Sequence, residues 1–245
     1  MRILPRVLVT GALVASLAAC QQSEEAGDAA EPATPSPSAS RSPSPSSSPV
    51  AGGTTRAVFF GDSYFVGGGY TEASNSMAQL AADTLGWSAT IRGGGGTGFV
   101  ESNQEYGLAD YLGQIDQGAL DVDDPDTVQW LVVEGGGNDK DDDPAEIQQR
   151  AEAVLTAASA KLPDARIVLV GTLDPTVDDF SDTVAVNTAL GQAADTAGVP
   201  FIDPQRWLEG RPDLVGPDFD HPTPEGHVLA GQRLADALTT IADQA

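Results

Sequence analysis

Both histidines of this chain lie in one short stretch, DFDHPTPEGH. His221 follows Asp218 by three positions, so a carboxylate on the same loop can reach the Nδ1 side of the ring, and Pro222 pushes His221 away from helical backbone angles. A histidine oriented by a carboxylate is the usual base for a serine hydroxyl near neutral pH. Asp220 is the alternative acid, although its adjacent position points its side chain away from the ring. His227 falls near the first turn of the last helix, where we expect a surface position or a supporting role.

A serine, a run of glycines and an asparagine each follow an apolar run that is typical of a strand. Ser63 lies in GDSY, residues 93–98 are GGGGTG, and Asn138 lies in GGGND. Glycine N–H groups and an asparagine amide can donate to the oxyanion of a tetrahedral intermediate, and losing one such donor typically costs about 2.7–4 kcal/mol. In open parallel sheets, ligands bind beyond the carboxyl ends of the strands. These stretches, with Asp218 and His221, therefore predict a serine hydrolase.

Alternating strands and helices must position these residues. The strand-like runs are 57–61, 88–91, 128–135, 166–171 and 199–203, and the helical patterns are 76–86, 145–162, 183–198 and a last helix capped by Thr223. Near-continuous apolar strands between helices predict a doubly wound α/β sandwich with a mostly parallel sheet. The connection 92–127 is expected to hold a short helix around ADYLGQI and to overhang the pocket.

The four blocks GDSY, GGGGTG, VVEGGGND and DFDHP resemble those of the SGNH (GDSL-type) hydrolases, a family of esterases and lipases. The blocks occur in the family's order and span residues 56–245. The resemblance implies a flavodoxin-like three-layer α/β/α sandwich with a five-stranded, mostly parallel sheet. It also implies catalysis without a metal or an organic cofactor.

The resemblance assigns roles to individual residues. The nucleophile, the base and its orienting acid are Ser63, His221 and Asp218. The oxyanion donors are the Ser63 N–H, the Asn138 side chain and a glycine of the second block, for which we choose Gly96 with Gly95 as the alternative.

The second block admits two further interpretations. It has Ile91-Arg92 where the family often has an asparagine, which leaves the register of the glycines open. Gly93 to Gly98 also fit the dinucleotide pattern G-x-G-x-x-G. That pattern is disfavoured because it follows the second strand and not the first, and because no ribose-binding acid is placed.

The N-terminus has the features of a bacterial lipoprotein precursor. Arg2 and Arg6 precede a short apolar run that ends in LAAC, which resembles a lipobox. Residues 1–19 are therefore predicted to be a signal peptide, and Cys20, the single cysteine, to carry lipid. Residues 20–55 are rich in proline and serine and are predicted to be a disordered linker.

The net charge of −24 argues against nucleic acid as a partner, since that needs a cationic surface. The acidic runs 121–126 and 139–143 lack the ligand pattern of a known calcium loop. We expect a monomeric domain that meets the membrane only through its lipid anchor.

The expected function is an extracytoplasmic serine esterase, held by lipid at the outer face of the cell membrane. Its substrate is expected to be a small ester or an acylated glycan, with short acyl or acetyl groups on carbohydrate or cell-wall material. A lipid esterase and an acyltransferase are alternatives within the same chemistry. A non-catalytic glycan-binding lipoprotein is the alternative of another class.

Overall fold

Five parallel strands form the centre of the described part of the chain, and their order in the sheet is β2-β1-β3-β4-β5. The computed structural model describes residues 53–175 and 180–244. The predicted signal peptide, Cys20 and the linker up to residue 52 lie outside the described residues. The strands are β1 (Arg56–Gly61), β2 (Ser88–Gly93), β3 (Trp130–Glu134), β4 (Arg166–Val170) and β5 (Phe201–Ile202).

Helices cover both faces of this sheet. They are α1 (Ser63–Val66), α2 (Met77–Leu85), α3 (Tyr111–Asp116), α4 (Pro144–Lys161), α5 (Ser181–Ala197) and α6 (Pro224–Ala242). Successive strand residues point to opposite faces, so Ala57 and Phe59 pack with α2 and α6, whereas Val58 and Phe60 pack with α3, α4 and α5. The result is the predicted three-layer α/β/α sandwich with the flavodoxin-like strand order.

The predicted strands and helices are all present, with small shifts at their ends. The predicted end signals also work as expected: α2 and α5 end at left-handed glycines, Gly86 and Gly198. Thr223 caps α6 by accepting a hydrogen bond from the Gly226 N–H at 3.1 Å. The sequence pattern did not predict α1, whose four residues are too few to show a helical period.

Strand β5 is shorter than its apolar run, with two residues in place of the five predicted. It is the edge strand next to β4, and only Phe201 and Ile202 pair with that neighbour. Within the described ranges no helix is long and apolar enough to cross a membrane. Nor do any three or more His, Cys, Asp or Glu side chains of those ranges form a group that could hold a metal ion.

Candidate active site

Ser63, His221 and Asp218 meet at the carboxyl end of the sheet. The Oγ of Ser63 lies 3.0 Å from Nε2 of His221, and Nδ1 of His221 lies 2.9 Å from Oδ2 of Asp218. This is the geometry in which a carboxylate fixes the tautomer of a histidine whose other nitrogen accepts a serine proton. The three side chains predicted as a triad are therefore within hydrogen-bonding distance of one another, although 158 positions separate the serine from the histidine.

Asp218 is held as the partner of the histidine by the backbone of its own loop. Its Oδ1 accepts the N–H groups of Asp220 and His221, each at 3.2 Å. Burial alone would raise the pKa of Asp218, but the hydrogen bonds from His221 and from these two N–H groups outweigh burial and hold it below its ordinary value. The rival acid, Asp220, places its Oδ2 3.7 Å from Nδ1 of His221, which is beyond a good hydrogen bond.

The backbone between Asp218 and Asp220 has an unusual conformation that is held in place by a hydrogen bond. Phe219 has a φ of 58°, a left-handed conformation that is rare for a bulky residue. The Asp220 carbonyl is tied down by the hydroxyl of Tyr64, which donates to it at 2.9 Å. Tyr64 directly follows Ser63, so one hydrogen bond fixes the histidine loop to the helix that carries this serine.

Ser63 is the first residue of α1, immediately after β1. A helix has no internal acceptor for the N–H of its first residue, so the Ser63 N–H is free to donate to a ligand. The preceding residue, Asp62, caps the helix through its Oδ1, which accepts the Tyr64 N–H at 3.0 Å. This arrangement presents both the hydroxyl and the N–H of Ser63 at the end of the strand.

The Asn138 amide lies beside this strand end, but both of its hydrogens face protein acceptors. Its Nδ2 donates to the Thr97 carbonyl at 2.9 Å and to Oδ2 of Asp62 at 3.2 Å. Two acceptors at these positions fix the orientation of the amide, because its oxygen would be repelled by both. An oxyanion that uses Asn138 must therefore share a hydrogen with one of them.

Gly95 and Gly96 both line the cleft next to Ser63. A Cβ built on Gly95 would lie 3.7 Å from the Ser63 Cβ, whereas one built on Gly96 would meet the Asn103 amide at 2.4 Å. Neither glycine N–H donates to a backbone acceptor among the described residues. Gly95 is thus the closer of the two candidates, and the choice of Gly96 stays a prediction.

Asp139 organises the loop that carries these glycines, and sequence reasoning did not single it out. Its carboxylate accepts the N–H groups of Phe99, Val100 and Glu101 at 2.9, 3.0 and 2.9 Å. Burial raises the pKa of Asp139, and these three hydrogen bonds oppose that rise. The only local signal was its place directly after Asn138, which gave no hint of a partner about 40 positions away.

Two more buried acids lie beneath the site and were also missed. Asp62 is 2% exposed and Glu134, the last residue of β3, is fully buried. Burial, opposed in part by the Tyr64 N–H, raises the pKa of Asp62 to about 7. Burial and then the negative charge of Asp62 raise the pKa of Glu134 well above its ordinary value. The only sequence signal for Glu134 was an acidic residue at the end of an otherwise apolar strand.

His227 is not at the surface, contrary to one of the two expectations. It is fully buried in the first turn of α6, and its Nδ1 accepts the Met77 N–H at 3.2 Å. Burial, and then the charge of His221, lower its pKa from 6.5 to about 4. The ring is therefore a neutral core group that ties α6 to the start of α2, and it does not touch the nucleophile.

The cleft above the serine is open and lined largely by backbone, with a volume of about 540 Å³. As expected, residues of the connection 92–127 overhang the cleft, and α3 lies within this connection. Tyr106 stands at the rim with 73% of its surface exposed. The residues that line the cleft are Ser63, Gly67, Gly68, Gly69, Gly95, Gly96, Asn103, Tyr106, Leu108 and His221.

A family model and a known relative each match most of the chain. Residues 59–229 match the GDSL-like lipase/acylhydrolase family. A GDSL lipase of Mycobacterium tuberculosis is 28% identical over 192 residues, which cover 73% of this chain and 79% of the relative.

Solved structures have the same fold at low sequence identity. A family two carbohydrate esterase from Clostridium thermocellum, in complex with cellohexaose, aligns with a TM-score of 0.63 and 17% identity over 78% of this chain and 65% of that one. A psychrotrophic esterase from Pseudoalteromonas sp., inhibited by monoethylphosphonate, aligns with a TM-score of 0.57 and 14% identity over 77% and 99%.

Proposed function

Because the chain belongs to the GDSL-like lipase/acylhydrolase family and is a carboxylic ester hydrolase, we propose that it is a lipid-anchored, extracytoplasmic serine esterase that removes short acyl groups from carbohydrate or cell-wall material. The observation that carries the catalytic part is the continuous chain of contacts from Ser63 through His221 to Asp218, at 3.0 and 2.9 Å.

In the proposed mechanism, Oγ of Ser63 attacks the ester carbonyl carbon while Nε2 of His221 takes the hydroxyl proton. The oxyanion that forms accepts hydrogen bonds from the Ser63 N–H, a glycine N–H of the second block and the Asn138 amide. Collapse breaks the bond to the alcohol, which leaves with the proton from His221. Water, deprotonated by the same nitrogen, then attacks the acyl-enzyme, releases the acid and restores the serine.

The shape of the cleft favours a short acyl group. Long acyl chains bind in pockets with predominantly apolar walls, whereas this cleft is walled mainly by glycine backbone, with Leu108 and Tyr106 as its apolar side chains. The exposed ring of Tyr106 gives the rim a flat surface with a polar tip, which suits an amphipathic partner such as a sugar ring.

The similar proteins support two different substrate classes. The Clostridium thermocellum esterase is described as a carbohydrate esterase bound to cellohexaose, which favours an acylated glycan. The mycobacterial relative is named a lipase, which favours a lipid ester as the second candidate.

A phosphonate probe tests the nucleophile. We expect a fluorophosphonate to label the full-length chain at one site, which mass spectrometry locates at Ser63, and to leave Ser63→Ala unlabelled. Ser63→Ala and His221→Ala are also expected to lose aryl-acetate hydrolysis. A folded wild-type chain that is neither labelled nor active would refute the enzyme and favour the glycan-binding alternative.

A substrate panel tests the substrate class. We expect kcat/KM to fall as the acyl chain lengthens beyond acetyl, and to be higher on acetylated oligosaccharides than on lipid esters. Tyr106→Ala should lower kcat/KM on the acetylated oligosaccharide and leave aryl acetate unchanged. Val184→Ala is the control, because Val184 is an exposed apolar residue on α5 and lies outside the cleft lining. Added acceptor alcohols would reveal an acyltransferase by a new ester product.

The anchor is tested separately from the chemistry. We expect the protein in its bacterial host to sediment with membranes and to be accessible to protease added outside the cell. Cys20→Ala should release the protein from the membrane fraction without changing its kcat on aryl acetate. A wild-type protein that stays in the cytoplasm would contradict the proposed location and leave the esterase proposal standing.

A further inference from the structure

Asp62 connects the Asn138 amide to the interior of the sheet. One carboxylate oxygen of Asp62 caps α1, and the other accepts a hydrogen of Asn138 at 3.2 Å. The second amide hydrogen is bound by the Thr97 carbonyl at a shorter distance, 2.9 Å. The bond to Asp62 is the longer of the two, and it leaves more room for a second acceptor. The hydrogen that an oxyanion can most easily share is therefore the one that Asp62 holds.

Glu134 lies directly against this acid. Strands β1 and β3 run in register, with Phe60 beside Val133, so that the next residues are Gly61 and Glu134. A Cβ built on Gly61 would lie 2.6 Å from Oε2 of Glu134, so the glycine makes room for the carboxyl group. Within the described residues, no atom forms a hydrogen bond of ordinary geometry with either Glu134 oxygen. Fully buried polar groups are rarely left in that state.

The surroundings of the two acids are negative. The ion pairs formed by lysine and arginine within the described ranges all involve other acids. The titratable groups that face Asp62 and Glu134 are Asp139 after β3, Asp220 and His221 on the histidine loop, Tyr64 on α1 and Tyr111 on α3. Two buried carboxyl groups that face mainly other acids disfavour each other's ionisation, so that one of them keeps a proton more readily than an isolated acid does.

We propose that Asp62 and Glu134 hold one proton between them and that this pair positions the Asn138 amide for the oxyanion, so that both acids are positioning residues for ester hydrolysis. The inference rests on the proposed function for its kinetic part only. As carboxylates, neither acid can donate to the other, whereas one proton turns Glu134 into a donor and leaves Asp62 as the acceptor. Asp62 then accepts hydrogens from the Tyr64 N–H, Asn138 and Glu134.

The proton is assigned to Glu134 because neither of its oxygens has a hydrogen-bond partner of ordinary geometry, whereas Asp62 already accepts hydrogens from the Tyr64 N–H and from Asn138. Asp62, with a pKa of about 7, is largely ionised at pH 8. Burial and the negative charge of Asp62 raise the pKa of Glu134 well above its ordinary value, which favours Glu134 as the acid that keeps the shared proton. Below pH 7, Asp62 gains a proton as well and holds the Asn138 amide less firmly. This predicts that kcat falls on the acid side partly through Asp62.

The kinetic test is a double-mutant cycle on the full-length chain with an aryl acetate. Asp62→Asn keeps an oxygen to cap α1 but presents an NH₂ group to Asn138, so we expect kcat to fall about 10- to 100-fold with little change in KM. In the Asn138→Ala background, the same substitution should cost almost nothing. Asp143→Asn is the matched control, since Asp143 caps α4 with the same kind of hydrogen bond, to the Ala145 N–H at 2.9 Å.

The spectroscopic test needs no activity. At pH 8 the wild-type chain should show the infrared C=O stretch of a buried carboxylic acid, which Glu134→Gln removes and Asp143→Asn retains. Glu134→Gln should keep kcat at pH 8 within about threefold of the wild type, because the glutamine NH₂ donates to Asp62 as the protonated acid does. Retained kcat in Glu134→Gln would show that residue 134 acts by donating a hydrogen bond to Asp62 and that a negative charge at this position is not needed.

Two results would overturn the proposal. One is a wild-type spectrum at pH 8 whose acid band is missing or survives in Glu134→Gln. The other is a loss from Asp62→Asn that is equally large with and without the Asn138 side chain. A wild-type chain without esterase activity would instead refute the proposed function, and the infrared band would still decide whether the two acids share a proton.

Discussion

Burial of His227 makes a quantitative prediction about acid stability. The ring is fully buried, its Nδ1 accepts the Met77 N–H at 3.2 Å, and no described atom bonds its Nε2. A charged imidazole would have to donate from both nitrogens, one of them towards an N–H group. The folded protein therefore keeps this histidine neutral, whereas the unfolded chain binds the proton freely.

The pKa of His227 falls from 6.5 in the unfolded chain to about 4 in the folded protein. The stability that the neutral ring provides is thus complete above pH 6.5 and is lost as the pH falls towards 4. At 1.36 kcal/mol per pKa unit, the free energy of unfolding drops by about 3 kcal/mol over that interval through this one group.

The assay is urea unfolding of the wild type and of His227→Asn at several pH values between 4 and 8. Asparagine can keep an oxygen acceptor for the Met77 N–H, but it cannot titrate. Asp62 and Glu134 have raised pKa values and shift stability in the opposite sense, but they are present in both proteins and cancel in the difference.

We expect the wild-type advantage over His227→Asn to shrink by about 3 kcal/mol from pH 7 to pH 4. Tyr106→Ala is the control that retains both histidines, because Tyr106 is 73% exposed, and its stability should follow the wild-type pH dependence. Parallel curves for the wild type and His227→Asn would refute the reasoning, because the histidine would then titrate alike in the folded and unfolded chains.

Three further predictions concern the site and its supports. Asp218→Asn should lower kcat on aryl acetate by about 10²-fold or more because the histidine tautomer is no longer fixed. Asp220→Asn should stay within about threefold of the wild type; equal losses would contradict the preference for Asp218, and a larger loss from Asp220→Asn would reverse it. Glu134→Gln should raise the free energy of unfolding, measured with urea, by about 1 kcal/mol or more at pH 8. The gain should disappear at low pH, because the carboxyl group is then protonated in the folded and in the unfolded chain and its raised pKa no longer costs stability. Gly69→Ala should lower kcat because the added Cβ would lie 2.8 Å from the His221 ring. Gly86→Ala, at a similar positive φ but facing open space, should lower the stability of the fold and leave kcat unchanged. An unchanged kcat in Gly69→Ala would contradict the predicted clash.

Local sequence was enough to predict the fold and to single out candidate site residues that the structure brings together. Each strand and long helix has its own period or cap, as the Thr223-Pro224 start of α6 illustrates. The blocks at strand ends belong together because parallel strands in one sheet deliver their carboxyl ends to one edge. By that rule the sequence predicts that Ser63, Asn138 and His221 share one site.

The sequence could not predict contacts between groups that are far apart along the chain. Asp139 fixes the loop at 99–101, and Glu134 lies under Gly61, although neither pair is local. His227 looked like a helix-surface residue because its burial depends on α2 packing against α6. Burial then sets the pKa values, since a neighbour's charge and the loss of water are properties of the folded environment.

The sequence by itself determined the order of strands and helices, the family and the residues that reach the edge of the sheet, because periodicity, caps and motifs are written in neighbouring positions. Only the tertiary structure decided which acid faces His221, which of Gly95 and Gly96 lies nearer Ser63 and which buried carboxyl lies against the Asn138 amide. Those choices depend on distances of a few tenths of an ångström and on the exclusion of water, which arise only when separate strands and loops pack together.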